Sequence, residues 1–213
     1  MGDNTGKRVP VSPPSLFRAL IDWDVDVTRR MAVCATPQSQ FGQWRPLMRF
    51  LEYSAHGVPW LIFNVVAILA THRIDLHQIL FNLFYALILD LIIVTLLKAI
   101  FRRPRPAHNT TGDMMTISVD LFSFPSGHTT RAIMVAYFSV VHYSGGPLVD
   151  LLVLLWGVAV SLSRILLGRH HVLDVSVGAV IGVLQYRLLA NYLWLSKETC
   201  EAWIRPIQEE LHI

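Results

Sequence analysis

Five apolar stretches dominate this sequence, at about 47–70, 79–100, 129–143, 148–167 and 172–195, and most of the charge lies between them. A stretch of roughly 20 apolar residues is long enough to cross a bilayer as a helix. In lipid, a helix is the form in which one segment satisfies all of its own backbone polar groups. The first stretch is interrupted near Gly57-Val58-Pro59, which predicts a kink or break there. The third is short unless it tilts or starts before His128. Ser144-Gly145-Gly146-Pro147 reads as a tight turn between the third and fourth. The expected fold class is all-α: an integral membrane helical bundle of about five transmembrane spans, led by an N-terminal interfacial amphipathic helix.

Composition supports this. Hydrophobic residues make up 53% of the 213 and charged residues 15%, with a mean hydropathy of +0.46. A soluble domain carries about 25% charge. The length suits one domain. The basic residues are not interleaved with a solvated aromatic surface, so nucleic acid is not an expected partner, whereas membrane lipid is. Cys34 and Cys200 lack metal-ligand spacing and read as free thiols. The start of the chain shows no apolar core of a cleavable signal peptide, so the first span is expected to direct insertion.

Residues 1–14 are polar and Pro-rich and read as a flexible tail. Residues 15–43 hold the amphipathic helix and a linker. Leu16, Leu20, Trp23, Val27 and Met31 recur on one face, and Arg18, Asp22, Asp24, Asp26, Arg29 and Arg30 load the other. So much charge suits a helix lying on the membrane surface; packing against the bundle is the equal alternative. Residues 44–197 form the membrane domain, and 198–213 a C-terminal tail.

Three polar clusters sit at span ends: Lys98-x6-Arg105-Pro106, Pro125-Ser126-Gly127-His128, and Ser163-Arg164-x5-His170-x3-Asp174. The third span crosses away from the first two clusters and the fourth returns, so all three clusters meet at one membrane face. Their chemistry suits a phosphate. Lys98, Arg105 and Arg164 can clamp anionic oxygens, Arg with a planar fork of donors; taken singly, each reads as a membrane-edge anchor. Ser126 is a natural N-cap, Gly127 admits close approach, and N–H groups at a helix start attract phosphate. The bland reading of this cluster is an ordinary Ser-Gly turn. His128 is placed to protonate a leaving oxygen as general acid. His170 and Asp174, four apart, would touch on a helix. A carboxylate on one ring nitrogen would fix the tautomer and free the other nitrogen to attack phosphorus, forming a phosphohistidine. His128, His170, His171 and Asp174 could hold a metal on paper, but three fixed cations beside them argue for an anion. No metal or other cofactor is therefore expected. Asp90 reads as the one acid deep in a span, serving either structure or the site.

In order and spacing, the clusters resemble the three-part signature of the type 2 phosphatidic acid phosphatase superfamily, with every key position filled. The resemblance covers about residues 45–195. It implies a helical bundle whose site opens at the membrane surface and works without a metal. It implies Lys98, Arg105, Ser126, Gly127 and Arg164 as phosphate binders, and His170, rather than the adjacent His171, as nucleophile. His128 is then the acid and Asp174 the carboxylate partner. The implied substrate is a lipid phosphate. Within the superfamily the chain looks most like the polyisoprenoid diphosphate phosphatases, which act on such lipids as farnesyl, geranylgeranyl or presqualene diphosphate. Short loops, the charged lead-in with Trp23, and the extra cations Arg102 and Arg103 carry that likeness, which implies the endoplasmic reticulum and nuclear envelope. A phosphatidate or sphingoid-phosphate phosphatase would use the same site. Vanadium haloperoxidases share the clamp but are soluble. A catalytically silent scaffold of the same fold is the alternative of a different class.

Outside the motifs, 11 Lys and Arg fall on the active-site side of this span map, against Arg73, Lys197 and Arg205 opposite. The positive-inside rule then predicts a cytoplasmic active face. The sequon Asn109-Thr110-Thr111 lies in the loop between the second and third spans and is expected to be unmodified.

Overall fold

Helix forms wherever the apolar stretches run, and most ends have a local cause. The computed structural model describes residues 16–107 and 121–211; the N-terminal tail and the Asn109 sequon lie outside them. Among the described residues there are eight α-helices and no β-strand. They are α1 (Leu16–Met31), α2 (Arg45–Ser54), α3 (Gly57–Ala70), α4 (Ile74–Phe101), α5 (Gly127–Tyr143), α6 (Pro147–Leu166), α7 (Val172–Leu188) and α8 (Lys197–Leu211). A π-helical turn, Leu189–Leu193, extends α7. Pro46 and Pro147 open α2 and α6, where an N–H would have no helical acceptor anyway. Arg102 takes a left-handed conformation (φ 47°) that ends α4.

The break foreseen near Gly57 falls at Ala55-His56, and α2 and α3 meet there at 47°. Among the described residues, α4, α6 and α7 with its π turn are long and apolar enough to cross a membrane. The α2–α3 pair makes a fourth if it is one bent span. Helix α5, expected as one of five spans, has 17 residues and is not in this set. Its sequence can be polar because protein, not lipid, surrounds its first turns: His128, Thr129, Thr130 and Arg131 are all buried.

Small residues let the neighbours of α5 approach it closely, as is common where lipid supplies no hydrophobic drive between helices. A Cβ on Gly178 of α7 would lie 3.2 Å from the Ser126 carbonyl oxygen, and one on Gly182 only 2.5 Å from that of Thr130. Gly182→Ala is therefore expected to destabilise the fold by about 1–3 kcal/mol, read as a lower thermal midpoint in detergent. An unchanged midpoint would show that the α5–α7 spacing gives way freely.

Leu83, Leu87, Met134, Phe138, Tyr186 and Leu189 form the main apolar core between α4, α5 and α7. The Trp60 and Trp156 indoles donate to the Ser54 carbonyl (2.8 Å) and hydroxyl (2.9 Å), and Trp194 stacks on His142. These tryptophans serve packing. Asp90 is structural too. It accepts from Thr130 Oγ1 (2.6 Å) and pairs with Arg131 (2.8 Å), which also donates to the Ala55 carbonyl. This buried pair ties α4, α5 and the α2–α3 break together.

At the two ends of the described chain the structure departs from periodicity. Asp24, expected on the outward charged face of α1, is wholly buried together with Thr28 against the start of α7. Leu16, Phe17, Leu20 and Trp23 of the apolar face are exposed, Leu16 at 89%, as are Arg18, Asp22, Arg29 and Arg30. The segment expected as a C-terminal tail forms α8, which buries Cys200 and Ile204. It is pinned by His77 Nδ1 to Glu201 (2.7 Å) and by Gln208 Nε2 donating to the Thr71 carbonyl (3.0 Å).

Candidate active site

Backbone hydrogen bonds sew the three clusters together. Ser123 N donates to the Arg103 carbonyl (2.8 Å), which joins the first cluster to the segment leading into the second. Ser126 N donates to the Asp174 carbonyl (3.1 Å), which joins the second to the third. Within the third, Gly168 takes φ 65°, a conformation open to glycine at little cost. The chain reverses there, and the N–H groups of Arg169 and His170 both donate to the Arg164 carbonyl (3.0 and 3.2 Å). His170 is thereby folded back under the end of α6.

The His170 ring is 1% exposed. Its Nδ1 lies 2.7 Å from the Ser123 carbonyl oxygen. A carbonyl can only accept, so Nδ1 carries the proton and Nε2 holds the lone pair. The expected orienting partner was Asp174, but its carboxylate is 3.9 Å from Nδ1. The i,i+4 argument fails because α7 begins only at Val172 and His170 lies outside it. Asp174 instead closes a capping box: Oδ2 accepts from His171 N (2.8 Å) and lies 3.2 Å from His171 Nδ1, while Oδ1 accepts from Arg103 (2.7 Å). His171 is thus occupied as the N-cap of α7. Burial, then the fields of Arg105, Arg164 and Lys98, hold the His170 imidazole well below the usual histidine range, so it is neutral at pH 7.

His128, in the first turn of α5, is also within electrostatic reach of His170. Its Nε2 is buried with no hydrogen-bond partner among the described residues. An orphaned buried nitrogen is costly, and here it suits a group that meets a ligand atom. Its ring packs edge-on to His56 (6.0 Å between centroids). Ser126 occupies the N-cap position as expected, but its hydroxyl accepts from Thr129 Oγ1 (3.0 Å) rather than from a backbone N–H. Gly127 is held to minimal size by α4, since a Cβ would meet Val94 Cγ1 at 3.2 Å. Helix geometry leaves the first N–H groups of α5 without intrahelical acceptors, and these favour an anion.

Lys98 and Arg164 are both buried, in the last turns of α4 and α6. Arg105 reaches the Arg169 carbonyl (3.5 Å). Arg164 pairs with Glu52 of α2, and its Nε and Nη2 have no hydrogen-bond partner among the described residues. Glu52 was missed in the sequence, although it is an acid inside the 47–70 stretch and so contradicts the reading of Asp90 as the lone deep acid. Arg169, buried 3.8 Å from Glu52, adds a further guanidinium. Arg103, expected as a spare cation for a diphosphate, is taken up by Asp24 (2.6 Å) and Asp174. Arg102 is exposed and donates to the Ala99 carbonyl.

Buried cations around a neutral histidine, with nitrogens of Arg164 to spare, suit the transfer of a phosphoryl group. Residues 79–198 match the family model of the PAP2 superfamily, and the chain belongs to that superfamily. It is 35% identical to probable lipid phosphate phosphatase beta of Arabidopsis thaliana, over 55% of this chain and 67% of that one. It is 31% identical to decaprenylphosphoryl-5-phosphoribose phosphatase of Mycobacterium tuberculosis, over 62% and 70%. In fold it is similar to the transmembrane PAP2 type phosphatidylglycerolphosphate phosphatase of Bacillus subtilis (TM-score 0.60, 22% identity, 82% and 86% covered). It is also similar to Aquifex aeolicus LpxE (TM-score 0.54, 24% identity, 79% and 94% covered). The chain is accordingly an enzyme, a hydrolase of the lipid phosphatase family.

Proposed function

We propose that this phosphatase hydrolyses polyisoprenoid diphosphates at the membrane surface through a phosphohistidine on His170, without a metal. The observation that carries the mechanism is the Ser123 carbonyl on Nδ1, which leaves Nε2 as the nucleophile. Nε2 attacks phosphorus, the P–O bond to the leaving group breaks, and His128 gives that oxygen its proton. Water, giving a proton to His128, then attacks phosphorus; the N–P bond breaks, its electron pair returns to Nε2 of His170, and phosphate leaves. Lys98, Arg105, Arg164 and the N–H groups at the start of α5 hold the phosphoryl oxygens in both steps. Ser126 and Gly127 shape that helix start, and Asp174 sets the start of α7.

The isoprenoid substrate class is supported by the polyprenyl-linked substrate named for the mycobacterial relative. Residues such as Leu91, Leu96, Leu152 and Val180, exposed on α4, α6 and α7, give lipid a surface to meet. The exposed edge of α1 supports an interfacial role for that helix. The charge asymmetry supports a cytoplasmic active face, and the likeness to the polyisoprenoid diphosphate phosphatases supports the endoplasmic reticulum and nuclear envelope. Four of its 11 cations (Arg45, Arg103, Arg131 and Arg169) are internal groups bonded to protein or buried beside Glu52, so fewer act on topology than the sequence count suggests.

Phosphate release from farnesyl diphosphate, phosphatidate and sphingosine 1-phosphate by purified protein in EDTA tests this reading. The expected result is chelator-resistant, vanadate-inhibited activity with the highest kcat/KM for the diphosphate. Strict dependence on added Mg²⁺ would overturn the mechanism, and a higher kcat/KM for phosphatidate would overturn the substrate.

A further inference from the structure

We propose that Asp24 of α1 is a positioning residue for the catalytic turn, acting through Arg103 and Asp174. The inference rests on His170 as the nucleophile. Asp24 is fully buried, and both of its oxygens are used. Oδ2 accepts from Arg103 Nη2 (2.6 Å), and Oδ1 accepts from Leu173 N (2.9 Å). One turn on, Thr28 Oγ1 accepts from Val172 N (3.1 Å). Val172 and Leu173 are the first two residues of α7, whose N–H groups have no acceptor within their own helix. Helix α1 supplies those acceptors and so fixes where α7 begins, two residues after His170.

Arg103 extends this hold into the site. Its guanidinium sits between two buried carboxylates, with Nη2 on Asp24 and Nη1 on Asp174 (2.7 Å). Without the cation the two acids would repel each other, and without Asp24 the fork would have only one end fixed. The main chain of Arg103 supports His170 by a second path, because its carbonyl accepts from Ser123 N and the Ser123 carbonyl holds Nδ1 of His170. Arg103 therefore steadies the nucleophile from two sides, and Asp24 anchors its side chain. Neither residue is demanded by the signature: α1 lies outside the matched stretch 79–198, and Arg103 occupies one of the free positions of Lys98-x6-Arg105.

Single-turnover phosphoenzyme formation from labelled farnesyl diphosphate by the full chain in detergent is the test, after the label has been mapped in the unaltered protein. Label absent from His170 would sink the phosphohistidine reading, whereas the Asp24 variants address the positioning role alone. Asp24→Asn keeps an acceptor for Leu173 N but loses the charge on Arg103. Its phosphoenzyme formation is expected to slow about 10–100-fold, the usual cost of losing a supporting partner of an active group. KM should change little, and Asp24→Glu should recover part of the rate. Arg103→Lys keeps the charge but cannot bridge two carboxylates, so it should slow the step similarly. Adding Asp24→Asn to it should then cost little more. A parent-like rate in Asp24→Asn, or losses that multiply in the double variant, would overturn the proposal. Should Asp24→Asn fail to fold, a parent-like rate in Arg103→Lys would overturn it.

Discussion

Alanine in place of His170 is expected to abolish phosphate release, leaving at most a few percent of parent turnover. The proposed role of the ring rests on its tautomer, with Nε2 left to attack. Its Nδ1 proton is fixed by the Ser123 carbonyl, and burial beside Arg105, Arg164 and Lys98 keeps it neutral. The substitution leaves a cavity and removes the partner of the Ser123 carbonyl, so an unchanged elution profile on gel filtration is the check that the loss does not come from misfolding. In the parent enzyme, quenching should trap a phosphoenzyme that is acid-labile, as a phosphoramidate is. The depressed pKa has a direction for pH as well. The neutral nucleophile persists on acidification, so the acid limb of phosphoenzyme formation should lie below about pH 6.5, the ordinary histidine value. Retention of more than a few percent activity by His170→Ala would move suspicion to His171. That residue would first have to leave Asp174 and the start of α7.

The second large effect is expected at Arg164. Its guanidinium is wholly buried, paired with Glu52, and keeps two nitrogens in reserve. Arg164→Ala should lower turnover by roughly 10²–10³-fold, as loss of one transition-state donor does. It also strands Glu52 as a buried acid, which costs roughly 3–5 kcal/mol of stability. Arg164→Lys separates these effects. An ammonium can still neutralise Glu52, so the fold should hold, but the planar fork is lost and turnover should fall on the order of 100-fold. Full activity in the Lys variant, measured as phosphate release at saturating substrate, would make Arg164 a structural counter-ion of Glu52.

The motif residues were legible because their chemistry is carried by residue type and spacing. Lys98, His128 and Arg164 stand at helix ends, and Arg105 and His170 in the segments that follow α4 and α6. The residues that hold them were not. Glu52 drew no notice, Asp24 looked like one of several charges on a solvated face, and Arg103 like a spare cation. Each acts across 70 or more residues of chain, on Arg164, Arg103 or Asp174, and pair distances at such separations leave no trace in local pattern. The Asp174 error had a local cause. The i,i+4 rule holds only inside a helix, and the reversal at Gly168 puts His170 outside one.

By itself, then, the sequence determined the all-α membrane class, the break between α2 and α3, the family and its three clusters. All of these follow from runs of like residues, spacing within a segment, or a glycine–proline interruption, which act over a few turns of helix. Tertiary structure decided how the clusters serve one another. It made the Ser123 carbonyl, not Asp174, the group that orients His170, and put α1 and Arg103 behind Asp174. It also buried the first turns of α5, so that His128, Thr129, Thr130 and Arg131 meet protein rather than lipid. The physical reason is that a buried charge must find its partner wherever packing brings one. Packing is a property of the assembled bundle, and the partner can lie anywhere along the chain.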